Sequence, residues 1–274
     1  MTRLATPPAA MVFVEEDTLL AATLADGRSR LLQVDIVSGA EVDQGVGGFA
    51  EEGINDSDVP AGGADATALV AVTDRFVRFG RRATVLQRSA DGFEAVATTD
   101  TSGAPRDTAV FGQRVFATDG RMIERRRLTD RGLTARRTVF EALEIGGLAA
   151  SPRGYLVVLH RPAADADWSL GFFSPRTPRL TGARLPVVGV GEPLALSYAG
   201  RDGDRLMLLR NDGLWRIDTA LDASGRQRAV GVAVAPFEAP TTMAVSPVGA
   251  VAVGEASGAI RLLDPEAIDG EPAR

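Results

Sequence analysis

Few kinds of side chain in this 274-residue chain could do chemistry. There is no Cys, so disulfides, thiolate metal sites and Cys nucleophiles are excluded. There is one His, His160, which excludes multi-histidine metal sites. All 30 basic residues are Arg, which removes a P-loop Lys, a Schiff-base Lys and a Lys general base together. Carboxylates, guanidinium groups and one imidazole remain. His160 precedes Arg161-Pro162, with Asp165 and Asp167 close behind. As a general base it would need one of those carboxylates to orient its ring. The competing expectation is a turn histidine exposed to water. No Gly-X-Ser-X-Gly elbow occurs, so a hydrolase triad has no anchor.

Charge is gathered in two places. The stretch 41–65 carries Glu41, Asp43, Glu51, Glu52, Asp56, Asp58 and Asp65 and no basic residue. Hard cations want clustered oxygens, so Asn55, Asp56 and Asp58 are a candidate Ca²⁺ site. Their spacing is not that of an EF-hand, and a solvated loop is the competing expectation. The opposite sign gathers at Arg121, Arg125, Arg126, Arg127, Arg131, Arg136 and Arg137, within 17 residues and offset by Glu124 and Asp130. Such a cluster suits an acidic partner, phosphates or the chain's own acidic stretch. Strand alternation would split Arg125 and Arg127 from Arg126, so the seven cannot all share one face. Charged protection of an edge strand is the other reading. Trp168 and Trp215 occupy corresponding places in two repeats. They are either anchors for a partner or packing between neighbouring units.

These residues must be positioned by a repeated element. A short apolar run recurs at 10–14, 68–72, 108–111, 147–152, 194–198 and 243–247. Such runs suit strands buried on both faces. A second strand follows each, then a tight turn: Asp26-Gly27, Gly80-Arg81, Asp119-Gly120, Asp165–Asp167, Asp212-Gly213 and Ser257-Gly258. Gly there tolerates the positive φ of a hairpin turn. The turns repeat with a mean period of about 46 residues, which is propeller-blade length. Third strands are expected at 30–37, 83–88, 122–128, 168–173, 214–218 and 259–263. Fourth strands are expected at 93–98, 135–140, 183–190 and 229–235. The last unit lacks a fourth strand, and Thr2–Thr6 precedes the first unit without a partner. Thr2–Thr6 is therefore predicted to be the outer strand of the last unit, which removes two exposed edges.

The predicted fold is an all-β propeller of about six four-stranded antiparallel blades, with seven blades or a pair of β-sandwiches as rivals. One domain is expected over 1–274, with units 7–60, 61–103, 104–144, 145–190, 191–238, and 239–274 joined by 1–6. The runs Met243-Ala244-Val245-Ser246-Pro247 and Leu31-Leu32-Gln33-Val34-Asp35 with Ser38-Gly39 resemble WD40-like and quinoprotein-like propeller repeats. Trp-Asp dipeptides are absent, and aromatic residues are sparse.

The fold hosts many functions, so function must come from sites. The lack of nucleophile motifs leads to the expectation of a non-enzymatic protein–protein interaction scaffold in a bacterial multi-protein system. The arginine cluster, Trp168 and Trp215 would be its contact residues. The alternative is a Ca²⁺-dependent propeller hydrolase or lactonase with carboxylates at the central channel. No cofactor is expected beyond that Ca²⁺. A protein partner is expected, with no nucleic acid and no membrane, and a chain that is monomeric by itself. The modest net charge of −6 and the lack of aromatics among the arginines speak against nucleic acid. No apolar run reaches the roughly 20 residues of a membrane span. If Met1 is the native start, the cytoplasm is the expected location.

Overall fold

The computed structural model describes residues 2–25, 28–44, 68–80, 82–90, 92–101, 105–177 and 182–270, with the side chains of 24, 25, 28, 29, 182 and 183 excepted. The chain is a β-propeller. Strand β1 (Thr2–Arg3) is followed by blade 1: β2 (Pro8–Phe13), β3 (Thr18–Ala25), β4 (Arg28–Asp35) and β5 (Glu41–Asp43). Blade 2 is β6 (Ala68–Val72), β7 (Arg75–Phe79), β8 (Arg82–Ser89) and β9 (Gly92–Asp100). Blade 3 is β10 (Asp107–Phe111), β11 (Arg114–Thr118), β12 (Met122–Thr129), β13 (Gly132–Leu133) and β14 (Arg137–Glu141). Blade 4 is β15 (Glu144–Ala150), β16 (Leu156–Arg161), β17 (Ser169–Phe173) and β18 (Gly182–Val188). Blade 5 is β19 (Pro193–Ala199), β20 (Arg205–Arg210), β21 (Gly213–Leu221) and β22 (Gln227–Pro236). Blade 6 is β23 (Pro240–Val245), β24 (Val251–Glu255) and β25 (Ala259–Leu263), followed by helix α1 (Pro265–Asp269).

The innermost strands β2, β6, β10, β15, β19 and β23 touch in that order, and β23 returns to β2. Burial explains the sequence pattern. In β16, Leu156 to His160 are all buried, because both faces of an inner strand are covered by neighbouring blades. The outer strand β9 is mostly exposed beyond Phe93, so its sequence is free to be polar. Six apolar clusters fill the six blade junctions among the described residues.

The ring closes as expected, with a shorter strand. β1 pairs antiparallel with β25, Thr2 opposite Ile260 and Arg3 opposite Ala259. The Leu4 N–H then donates to the Gly258 carbonyl at 2.8 Å. Gly258 has φ +83°, and a Cβ there would collide with the Leu4 carbonyl, so the hairpin needs glycine.

Three features depart from the expected pattern. The fourth strand of blade 3 is split: β13 pairs one end of β12, while β14 pairs the other across a bulge. The outer strands of blades 4 and 5 join in parallel, Val187–Val188 beside Ala229–Val230, so those two blades form one eight-stranded sheet. The chain after Leu263 turns into α1, with Pro265 in its first turn, where a missing N–H costs nothing. Helix α1 is held on blade 5 by arginines. Arg205 Nε donates to Asp269 Oδ1 at 3.1 Å, Arg201 pairs with Glu266, and Arg216 Nη1 donates to the carbonyls of Ile268 and Gly270 at 3.0 and 2.9 Å. Ile268 is fully buried between blades 5 and 6.

Candidate functional site

Innermost strands leave one edge without a strand partner, so their N–H groups point toward the ring axis. Asp107, the first residue of β10, occupies that space. Its Oδ2 accepts the Leu148 N–H of blade 4 at 2.8 Å and the Leu196 N–H of blade 5 at 3.2 Å. Its Oδ1 accepts the Thr108 N–H at 2.7 Å. One carboxyl group thus joins three blades. Two neighbouring features complete the junction. Arg106 Nη2 donates to the Pro193 carbonyl at 2.6 Å. A Cβ at Gly147 would sit 3.1 Å from Asp107 Oδ2 and 2.7 Å from Leu196 Cβ, so only glycine lets the strands approach this closely.

Burial pushes the Asp107 carboxyl up to about 7, against the opposing pull of three N–H donors and the Arg106 charge. A carboxyl that gains and loses its proton near neutrality can act as an acid or a base. Sequence reasoning missed it. The available signal was an acidic residue immediately before the apolar run 108–111, where the other runs are preceded by Ala9, Thr67, Gly146, Pro193 and Thr242.

Ca²⁺ takes six to eight oxygen ligands. Among the described residues, no three His, Cys, Asp or Glu side chains converge. Both Asp107 oxygens face N–H donors, whose positive ends disfavour a cation. The channel carboxyl does not fit Ca²⁺. The sequence-derived site at Asn55, Asp56 and Asp58 lies outside the described residues, as does most of the acidic stretch.

The arginine cluster does not form one patch. Arg126 is buried against blade 2, donates to the Asp100 carbonyl at 3.1 Å and lies 3.9 Å from Glu124. Arg136 pairs with Glu124 at 3.2 Å. Arg125 and Arg127 lie on the other face, as alternation predicts; Arg125 Nη1 reaches the Thr177 carbonyl of blade 4 at 3.0 Å, and Arg127 donates to Gln113 Oε1 of blade 3. Arg121, Arg131 and Arg137 are exposed.

Trp168 and Trp215 both pack against the core between blades 4 and 5. Arg161 covers one ring at 5.2 Å and Arg210 the other at 3.9 Å.

His160 is not an exposed turn residue. It sits inside β16, 1% exposed, with its ring edge-on to Phe140 at 5.2 Å. Neither ring nitrogen has a hydrogen-bond partner, so no carboxylate orients it. Burial, then the Arg184 charge, lowers its pKa to about 4. A neutral, unoriented imidazole in a core is a packing residue.

A cavity of ≈ 410 Å³ that Asp107 does not line lies between β21, β22 and α1, lined by Asp212, Trp215, Arg216 and the strand Val232–Pro236 among others. Its polar groups are committed elsewhere. Arg216 is bound to Asp218 and to the carbonyls that end α1. Asp212 accepts from Trp215 Nε1 and Arg210. We read this cavity as the seam of the C-terminal clasp and place the chemistry at the channel.

No protein-family model matches the sequence, and no curated protein matches it. Solved structures do match. A gluconolactonase from Xanthomonas campestris aligns with TM-score 0.60 and 17% identity over 95% of this chain and 87% of its own. The PQQ-bound aldose sugar dehydrogenase from Streptomyces coelicolor aligns with TM-score 0.59 and 13% identity over 96% and 94%. The WD40 β-propeller domain of Doa1 aligns with TM-score 0.54 and 10% identity over 96% and 94%. The fold is that of the WD40-like and quinoprotein-like propellers. At these identities the likeness carries the fold alone. It nevertheless corrects the functional expectation. Similar propellers spanning nearly the whole chain include structures named as lactonases, so the enzyme alternative is better supported than a non-enzymatic scaffold.

Proposed function

We propose that this propeller is a hydrolase that opens the ring of a lactone, with Asp107 as the proton-transfer group. The carrying observation is a carboxyl that joins the innermost strands of three blades through the Thr108, Leu148 and Leu196 N–H groups, and burial there pushes it up to about 7. The lactonase names among similar propellers support the substrate class. In this reading, ionised Asp107 takes a proton from water as the water oxygen bonds to the lactone carbonyl carbon. The ring C–O bond then breaks, and Asp107 returns the proton to the departing oxygen, leaving the open hydroxy acid. The Leu148 and Leu196 N–H groups fix the carboxylate, and Arg106 at the same mouth supplies positive charge for the developing oxyanion. No metal takes part in these steps.

The test is acid release from glucono-δ-lactone and a panel of five- and six-membered lactones, corrected for spontaneous opening. We expect a rate above buffer that rises with pH through about 7. Asp107→Asn should lower it by roughly 10²- to 10⁴-fold. The reading is lost if no lactone opens faster than in buffer, or if Asp107→Asn keeps the wild-type rate.

A further inference from the structure

Blade 3 carries two like-charge pairs directly opposite each other across its strands. Arg114 of β11 is the register partner of Arg127 of β12. Arg125 of β12 is the register partner of Arg137 of β14. Directly opposed residues share a face, and Arg125 and Arg127 are two apart on one strand, so all four guanidinium groups leave the same face of the sheet. Sheets normally avoid like charges in this position, because opposed pairs repel at about 5 Å between Cβ atoms.

Among the described residues this repulsion is not offset. Among the described residues, Arg114 and Arg137 make no hydrogen bond or ion pair. Arg125 donates only to the Thr177 carbonyl, and Arg127 only to Gln113. Among the described residues none of the four meets a carboxylate, although Glu124 serves Arg126 and Arg136 on the opposite face. Arg114, Arg127 and Arg137 are exposed. Burial, then the charges of Arg137 and Arg114, holds the Arg125 guanidinium below its usual value, so its neighbours are felt electrostatically.

We propose that Arg114, Arg125, Arg127 and Arg137 form a docking surface for an extended acidic segment of a partner protein. Each opposed pair is a fork for one carboxylate. The two forks are spaced by two residues along β12, the same period as carboxylates on one side of an extended acidic peptide. A nucleic-acid strand would also meet the charge, but it needs faces for its bases, and Phe116 opposite Arg125 is fully buried. The Arg114–Arg127 pair lies at the opposite end of blade 3 from Asp107, whereas the Arg125–Arg137 pair is level with Phe116 and Ala109, on the outer strands. Asp107 begins β10, while Arg114 begins β11 directly opposite Phe111, four residues and roughly 13 Å away along the strand. This inference does not rest on the lactone reading.

The test is fluorescence anisotropy with a labelled eight-residue peptide of alternating Glu and Ser, titrated with the intact protein at low and raised salt. Binding should be present at low salt and weaken as salt rises. The double variant Arg114→Gln/Arg137→Gln should weaken it roughly tenfold. Arg121→Gln/Arg131→Gln, which changes as much charge in the same segment, should leave it nearly unchanged. Removing repulsion should leave the first variant's melting temperature equal or higher, so lost binding will not be lost folding. The proposal is overturned if the peptide does not bind, if both double variants weaken it equally, or if a labelled single-stranded oligonucleotide binds more tightly than the peptide.

Discussion

Asp107 and His160 are ionisable groups on neighbouring blades, the first half-buried and the second fully buried, and desolvation moves both toward their neutral forms. Their surroundings differ. Asp107 is met by three backbone N–H groups from three blades, so its burial assembles a site. His160 is met by Phe140 and by no hydrogen-bond partner, so its burial only fills a core. A shifted pKa alone would have ranked the two together. The donors around the group distinguish a candidate acid–base from a packing residue.

The sharpest way to break this contrast is to remove the carboxyl. Asp107→Ala strands two inner-edge N–H groups, so it should cost about 2–5 kcal/mol, read from urea denaturation. His160→Leu strands nothing. If the alanine variant is as stable as wild type, the three-blade junction is not holding the ring.

Gly147→Ala comes next. Its methyl group would press on Leu196 and crowd Asp107, so a loss of about 1–3 kcal/mol is expected in the same measurement. Gly154→Ala is a control with nothing within 4 Å of the added group, its positive φ giving only the usual strain. Equal losses at the two positions would mean that close approach at the axis is unimportant.

The pH dependence sharpens the comparison, because the two linkages have opposite sign. Between 3.8 and about 7, native Asp107 keeps a proton that the unfolded chain has released, so its contribution to stability falls as pH rises. Between 6.5 and about 4, the unfolded imidazole takes a proton that native His160 refuses, so its contribution falls as pH falls. The two partly cancel over pH 4–6.5 in the wild type. Asp107→Asn should therefore become more acid-sensitive than wild type over that window, and His160→Leu less so. Melting curves at pH 4.5, 5.5 and 6.5 measure both slopes. Parallel curves for the three proteins would show that neither group is linked to folding.

The smallest effect is expected for His160→Leu at pH 7.5, where the native ring is neutral. Replacing an unpartnered polar ring with an apolar side chain should be neutral or stabilising by about 1 kcal/mol. A loss of 2 kcal/mol or more would show that the imidazole has a polar role.

Much of the ring was legible in the residues themselves. Turns at Asp119-Gly120, Asp212-Gly213 and Ser257-Gly258 lie between the strands they were expected to join. The strand 259–263 matches β25, and the spare N-terminal segment closes the last blade. These are local signals, since hairpin chemistry and apolar runs are written within a few residues. The split outer strand of blade 3, the parallel seam between blades 4 and 5 and the α1 clasp were not legible, because each depends on partners from elsewhere in the chain.

The candidate site shows the same division. Sequence by itself determined what chemistry was available: carboxylates, arginines and one histidine, set on a repeating all-β frame. It also determined that Arg125 and Arg127 oppose Arg126, because strand alternation is a property of the backbone. Only the tertiary structure decided which carboxyl matters and that the histidine is dry. Asp107 meets Leu148 and Leu196 across 41 and 89 residues of chain, and His160 meets Phe140 in a blade junction. Desolvation and donor count, the quantities that shift these groups, arise only when distant strands are packed around them.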